Sequence, residues 1–343
     1  MDLLPSDEQQ EIIDQTAGFL RGELPVRRLH DLEAPGERVS AATWKAMAEL
    51  GWFGLGLREE QGGVGFSLAE ETLLLREIGR ALGPPSLLAT VLAARCAAQA
   101  ELSEVRDALV AGEARAALAQ GVGWPAAALG AKVSGTFHLF DAAGADYLLA
   151  VGPEGAALLA ADVAAAARQA ECVDDTVELS VATLDGNPAL AFVPADRDWI
   201  HARAVVLSAA MLVGLAEAVR DDAVAYATER VQFGKPIGVF QAIKHPCADM
   251  AVGCEAALSQ TLMAALSVRD SQPDGGFQAA CAKAVAGRAA SRSAAANVQI
   301  HGGYGFTSEY DAHLSVKRAH LLDVFAGTER AQLAAVLAAP PPQ

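Results

Sequence analysis

The sequence predicts a mainly α-helical protein with a small β domain near its middle, and three observations lead to that prediction. Hydrophobic residues make up 52% of the 343 residues, and aromatic residues only 6%. Alanine leads this composition, and alanine and leucine lose little entropy in a helix. Apolar residues recur with helical spacing in the first and last thirds. Between them, short apolar runs are separated by Gly, Pro and Asp, which is typical of strands joined by turns.

Residues 1–116 are predicted to form an N-terminal helical domain. Ser6 and Ser40 each precede a run with helical periodicity, and serine is a favoured N-cap residue. Gly51 is expected to end the second of these helices. A third amphipathic helix is predicted over 68–82, where a Gly-Pro-Pro sequence follows.

Residues 117–200 are predicted to form a reduced β domain. The clearest strand candidates are the apolar runs 147–151 and 189–193. The segment 156–167 is alanine-rich, and its pattern leaves helix and loop open.

Residues 201–339 are predicted to form a C-terminal four-helix bundle, followed by a disordered tail at 340–343. Three stretches, 204–231, 240–268 and 276–300, have helical periodicity and are long enough for antiparallel packing.

Composition argues against several classes of function. The net charge of -16 and the lack of a basic cluster oppose binding to nucleic acid. The N-terminus has no basic segment before an apolar run, and the alanine-rich stretches carry Gly, Arg or Asp too often to predict a membrane span. A soluble, cytoplasmic protein is expected. Five cysteines without C-x-x-C or metal-ligand spacing are expected to be buried thiols, so neither a disulfide nor a metal site is predicted.

Several motifs, in consistent order, carry a family resemblance. MAELGWFG at 47–54, QGGVGFS at 61–67 and REIGRALGP at 76–84 lie in the first half. The second half contains YATERVQFGKPI at 226–237, QIHGGYGF at 299–306 and Gly327-Thr328. The chain resembles the acyl-CoA dehydrogenase family, whose members have a helical domain, a β domain and a C-terminal helical bundle. The resemblance implies oxidation of an acyl-CoA thioester with FAD, which lies at a subunit interface.

The resemblance also implies which residues contact FAD, in part across that interface. The chemistry of these residues suits such contacts, because arginine binds pyrophosphate oxygens in a bidentate way and glycine lets the backbone approach a ligand closely. For Arg230 alone, a surface ion pair with Glu229 or Asp222 is the competing interpretation. His301, His245 and His320 are given no catalytic role. The expected cofactor-binding residues are Arg230, Gln232, Phe233, Gln241, Gln299, Gly302, Gly303 and Thr328.

The catalytic base expected of this family is absent from the sequence. The residue before Gly-Thr is usually a glutamate that removes a proton from the substrate, and here it is Ala326. The position that some members use instead falls near Ala204, again without a carboxylate. Alanine cannot accept a proton, so general-base catalysis has no group at either position. No catalytic residue is therefore predicted.

The retained cofactor motifs and the missing base together resemble the short subunit of heterotetrameric, steroid side-chain acyl-CoA dehydrogenases. That resemblance implies an α2β2 assembly with a full-length catalytic subunit, which would bind the acyl-CoA. Two alternatives remain open. In the first, the chain is a self-sufficient dehydrogenase with a displaced base, for which Glu255 and Glu309 are candidates. In the second, it is a structural subunit without flavin.

Overall fold

The computed structural model describes residues 3–30, 39–123 and 127–340. The chain forms two compact units. One comprises Met1–Asp31, Thr72–Gly83 and Val205–Gln343, and the other Leu32–Glu71 and Pro84–Ala204. The predicted domain boundaries at 116 and 200 stay predictions. Most of the predicted tail, 341–343, lies outside the described residues.

Five α-helices precede the sheet in the part of the chain that the structure describes, and both predicted serine caps are confirmed. Ser6 forms a capping box with Gln9 at the start of the first helix, and Ser40 Oγ accepts a hydrogen bond from the backbone N–H of Thr43 at 3.0 Å. Each cap satisfies an amide that has no partner within the helix. The helices are α1 Asp7–Glu23, α2 Ala41–Glu49, α3 Leu68–Arg80, α4 Pro85–Gln99 and α5 Ser103–Val110.

A seven-stranded mixed sheet follows in the order β5-β6-β2-β1-β3-β4-β7. Among the described strands of this sheet, β1 and β3 pair in parallel and the other pairs are antiparallel. The strands are β1 Ala116–Val122, β2 Lys132–Phe140, β3 Tyr147–Gly152, β4 Gly155–Ala160, β5 Arg168–Ala170, β6 Leu179–Pro188 and β7 Ala191–Pro194. The fold class predicted from the sequence is confirmed, since a mixed sheet lies within a mostly helical chain.

The segment 156–167, which the sequence left open between helix and loop, is strand in its first five residues and a turn in the rest. Its first part belongs to β4, which pairs with β3 on one side and β7 on the other. A 3-10 turn, Ala161–Ala164, follows. The first five residues of β4 are buried. A strand covered on both faces shows no alternation of polar and apolar residues. The alanine-rich sequence of β4 therefore gave no pattern by which a strand could be predicted.

The remaining long helices are α6 Ile200–Glu229, α7 Gln241–Arg269 and α8 Gly275–His301, followed by α9 Ala312–Val324 and α10 Glu329–Ala338. α3 and α6 pack closely because glycines lie where they meet. A Cβ on Gly79 would lie 2.1 Å from the carbonyl oxygen of Met211, and one on Gly214 would lie 1.8 Å from that of Arg76. Beside this crossing, Arg76 forms a bidentate ion pair with Glu217, at 2.8 and 2.9 Å.

Two helices correct the expectation that composition excludes a membrane span. By length and hydropathy alone, α6 and α7 are both long and apolar enough to cross a membrane. The most apolar window of α6 is 89% buried inside the protein, which accounts for its hydropathy, but that of α7 is only 39% buried. Large apolar side chains are exposed on α7 and on other elements of the same unit, namely Val252 on α7, Val224 on α6, Val231 and Phe240 in the connection between α6 and α7, and Leu333 and Leu337 on α10.

The expectation that all five cysteines are buried thiols is confirmed for two of them. Cys96 and Cys254 are buried, and burial raises the pKa of these thiols to about 12 and about 11. Cys172, Cys247 and Cys281 are only half-buried, so the expectation was wrong for these three.

Candidate functional site

The connection between α6 and α7 is a tight hairpin that displays an aromatic side chain. Strands β8 (Val231–Gln232) and β9 (Lys235–Pro236) pair around Phe233-Gly234, whose φ angles are 53° and 75°. Positive φ at both central residues is the requirement of a type I′ turn. A phenylalanine rarely adopts this conformation, and here its side chain is 91% exposed. The chain therefore holds an apolar ring in solvent at a conformational cost, which is typical of functional sites.

Arg230 lies between α6 and this hairpin, and its side chain is exposed. It forms no ion pair with any residue in the described part of the chain, so the proposed surface pair with Glu229 or Asp222 is absent. Asp222 instead accepts hydrogen bonds from Tyr310 and Asn297, at 2.7 and 2.9 Å. The Arg230 guanidinium thus keeps its donors available for an anionic ligand such as a phosphate.

The Gly302-Gly303 pair lies in the turn that follows α8. Gly302 has φ 62° and ψ -140°, a conformation that residues with a side chain avoid. A Cβ built on either glycine meets no atom within 4 Å, so the space in front of this backbone is open. Gln299, in the last turn of α8, is also exposed. The turn therefore offers bare backbone to a ligand.

The two motifs meet through a pair of aromatic rings. Tyr226, in the last turn of α6, lies over His301, with ring centroids 3.9 Å apart. Arg230 follows one helical turn after Tyr226, and Gly302 directly follows His301. The sequence did not assign a role to His301, and the structure shows it buried at the junction of the hairpin and the glycine turn. An Asn-x-x-x-His spacing at the end of α8 was the available signal, but its partners on α6 are distant in sequence.

The other predicted contact residues are less tightly grouped. Gln232 lies in the hairpin and Gln241 begins α7, and both are exposed. Thr328 is the N-cap of α10, where its Oγ1 accepts a hydrogen bond from Ala331 N at 3.4 Å. The next residue, Glu329, pairs with Arg288 on α8. Arg288 precedes Gly302 by 14 residues, or about 20 Å of helix, so Thr328 lies apart from the glycine turn.

The position of the expected base is a buried turn without an ionisable side chain. Ala326 has φ 54°, and its carbonyl accepts a hydrogen bond from Gln332 Nε2 at 2.8 Å. Ala204 is buried in α6. The two displaced candidates, Glu255 and Glu309, are both exposed. Neither carboxylate is in the desolvated setting that typically tunes a general base.

Just behind Ala326 lies a lysine that the sequence did not single out. Lys283 is fully buried, and its Nζ donates to the carbonyl oxygens of Leu322 and Phe325 at 2.5 and 3.1 Å. Burial lowers the pKa of Lys283 to about 7, and the carboxylate of Asp323 opposes that effect. The lysine therefore fixes the end of α9 and the start of the turn that carries Ala326.

Two family models match this chain. One describes the N-terminal domain of acyl-CoA dehydrogenases and covers residues 6–104; the other describes the C-terminal domain and covers 201–339. Among curated proteins, IpdE2 of Mycobacterium tuberculosis is 31% identical over 93% of this chain and 92% of its own length. FadE34 of the same organism is 32% identical over 94% of this chain. The chain spans only 46% of FadE34.

Solved structures are similar over nearly the whole chain. A variant of the Tcur3481-Tcur3483 steroid ACAD matches with a TM-score of 0.84 and 28% identity, covering 96% of both chains. The ChsE4-ChsE5 complex from Mycobacterium tuberculosis matches with a TM-score of 0.82 and 23% identity over both full chains. Butyryl-CoA dehydrogenase from Megasphaera elsdenii matches with a TM-score of 0.80 and 24% identity over 98% of both chains.

Proposed function

Because the chain belongs to the acyl-CoA dehydrogenase family, we propose that it is the flavin-lending subunit of an FAD-dependent acyl-CoA dehydrogenase. Its partner is a full-length subunit of the same family, and the two form an α2β2 heterotetramer in the cytoplasm. The complex introduces an α,β double bond into an acyl-CoA thioester. The observation that carries the proposal is the combination of exposed cofactor motifs with alanine at the position of the base.

The described residues fit one end of FAD. Arg230 has an unpaired guanidinium for a pyrophosphate, Phe233 offers a flat apolar face, and Gly302 and Gly303 leave open space before their backbone. FAD, when bound, supplies the acceptor for the hydride that leaves the β-carbon of the thioester. This chain's part is to bind and orient the cofactor from one side of a subunit interface.

The base that removes the α-proton comes from the partner in this proposal. Ala326 holds a methyl group where the family carries its glutamate, and neither Glu255 nor Glu309 is buried. A carboxylate at the surface lacks the close positioning against substrate that general-base catalysis needs. This chain's own base position therefore supplies no proton acceptor, and the acyl-CoA binds to the catalytic subunit.

A bulky acyl group of the steroid class is the proposed substrate. The support is the 28% identity to a protein described as a steroid ACAD, over 96% of both chains. The name Tcur3481-Tcur3483 pairs two polypeptides, which also supports a second subunit for this chain.

Expression of this chain alone and together with a full-length acyl-CoA dehydrogenase tests the proposal. We expect flavin absorbance, dehydrogenase activity and a heterotetrameric mass only for the co-expressed pair. A yellow, active homo-oligomer of this chain alone would instead establish the self-sufficient enzyme with a displaced base. A stable complex in which no flavin is retained would establish the structural subunit.

A substitution locates the cofactor contact within the complex. We expect Arg230→Ala to weaken FAD binding by roughly tenfold or more, because a charge-assisted hydrogen bond is lost. Arg58→Ala, which removes an exposed arginine from the other compact unit, is the matched control and should leave FAD affinity unchanged. Equal flavin affinity in the two variants would contradict the proposal that Arg230 contacts FAD.

A further inference from the structure

Four residues form a hydrogen-bonded chain beside the Gly302-Gly303 turn. Tyr310 Oη donates to Asp222 Oδ1 at 2.7 Å, and it lies 2.8 Å from His301 Nε2. The other ring nitrogen of His301, Nδ1, lies 2.9 Å from the carbonyl oxygen of Asn297 and donates to it. Asn297 also donates its side-chain N–H to Asp222 Oδ2 at 2.9 Å. The chain thus joins α6, the end of α8 and the segment after the turn.

This arrangement fastens the glycine turn at both of its ends. His301 directly precedes the turn, and Tyr310 lies seven residues after Gly303. The His301 side chain is fully buried, and its ring stacks on Tyr226 of α6 at 3.9 Å. Loss of the Tyr310 link would free the distal end of a segment whose glycines give it little stiffness of its own.

The charged and titratable neighbours keep the Tyr310 hydroxyl available as a hydrogen-bond donor. Burial, followed by Asp222, Asp311 and Tyr304, raises the pKa of Tyr310, so its hydroxyl stays protonated. Asp311 is paired with His30, with 2.5 Å between Oδ1 and Nε2. On the α6 side the chain is faced by Asp222 and the ring of Tyr226, and on the α8 side by the neutral Asn297.

We propose that Asp222, Tyr310 and His301 are positioning residues that hold the Gly302-Gly303 backbone ready for flavin, through the two hydrogen bonds that meet at the Tyr310 hydroxyl. This inference rests on the proposed function. When the links at Tyr310 are removed, the segment after the glycine turn loses a side-chain anchor, and the FAD affinity of the complex falls.

The decisive comparison is between Tyr310→Phe and Tyr304→Phe in the heterotetramer. Both remove one hydroxyl from neighbouring tyrosines, whose rings lie 4.9 Å apart, but Tyr304 is exposed. FAD affinity of the complex is measured by flavin release. We expect Tyr310→Phe to weaken FAD affinity about tenfold, and Tyr304→Phe to match wild type. A wild-type FAD affinity in Tyr310→Phe would overturn the inference.

Two further measurements keep the outcomes distinct. In the full chain without partner or flavin, amide hydrogen exchange over residues 302–309 should be faster in Tyr310→Phe than in Tyr304→Phe; equal rates would overturn the inference even if the complex does not assemble. If Tyr310→Phe and Arg230→Ala both leave flavin affinity unchanged, the proposed function itself fails. If Arg230→Ala weakens flavin binding and Tyr310→Phe does not, only the positioning role of Tyr310 is refuted.

Discussion

Replacement of Lys283 by methionine provides a sharp test of the packing around the turn that carries Ala326. Methionine keeps an unbranched apolar side chain but removes the buried ammonium. The carbonyl oxygens of Leu322 and Phe325 then lose the donor that lies 2.5 and 3.1 Å away. An unsatisfied buried acceptor costs about 1–3 kcal/mol. We therefore expect the variant to be about 3 kcal/mol less stable than wild type at mildly alkaline pH.

The size of this difference should depend on pH, because burial lowers the pKa of Lys283 to about 7. An unfolded lysine titrates near pH ~10.4, so above pH ~7 the unfolded chain binds the proton and the folded chain does not. Stability of the wild type therefore rises with pH in this window. From about pH 6 to about pH 8.5 the gain is about 2 kcal/mol, so the variant should be only about 1 kcal/mol less stable at pH ~6.

Urea denaturation of the full chain, followed by circular dichroism, measures both numbers. Lys45→Met is the matched control, since Lys45 Nζ also donates to a backbone carbonyl, that of Ala111 at 3.0 Å, but at the surface. We expect its effect to be below about 1 kcal/mol and constant with pH. If the stability curves of wild type and Lys283→Met run parallel between these pH values, the assigned titration of Lys283 is wrong.

Two further predictions concern the interior. Gly214→Ala should lower the free energy of unfolding by about 3 kcal/mol or more, because its Cβ would lie 1.8 Å from a carbonyl oxygen of α3. Gly22→Ala in α1 should raise the free energy of unfolding by roughly 0.5–1 kcal/mol, because the new Cβ meets no atom within 4 Å. Thermal unfolding of both variants checks this, and similar melting temperatures would contradict it. Arg203→Met should cost about 3–5 kcal/mol by leaving the buried carboxylate of Glu71, now 2.7 Å away, without its partner. Adding Glu71→Leu should restore most of that loss in urea denaturation, and a double variant no more stable than the single one would refute the pairing.

The helical parts of the fold were readable from the sequence because their signals are local. Ser6 and Ser40 lie next to the amides that they cap, and the apolar spacing of α6, α7 and α8 repeats over many turns. β4 gave no such signal. Its alanines and leucines are buried against β3 and β7, and burial on both faces removes the alternation by which strands are recognised.

The candidate site was predictable in its motifs and not in its contacts. Arg230, which directly precedes the hairpin, and the Gly302-Gly303 turn were recognised from short sequence motifs. The hydrogen bond from Tyr310 to Asp222 joins residues 88 apart, and that from Lys283 to Leu322 joins residues 39 apart. Such pairs are created by helix packing, and no local rule reports them. A lone lysine within an alanine-rich helix is the one local cue to the second of these bonds.

The uncovered apolar surface beside α7 has a consequence for how this protein must be made. The helix is apolar enough to cross a membrane, yet only 39% of its most apolar window is buried within the chain. Exposed apolar surface of this kind promotes aggregation when no partner covers it. In the proposed heterotetramer, a copy made without its partner would leave this surface uncovered, so we expect balanced synthesis of the two polypeptides to raise the yield of this one.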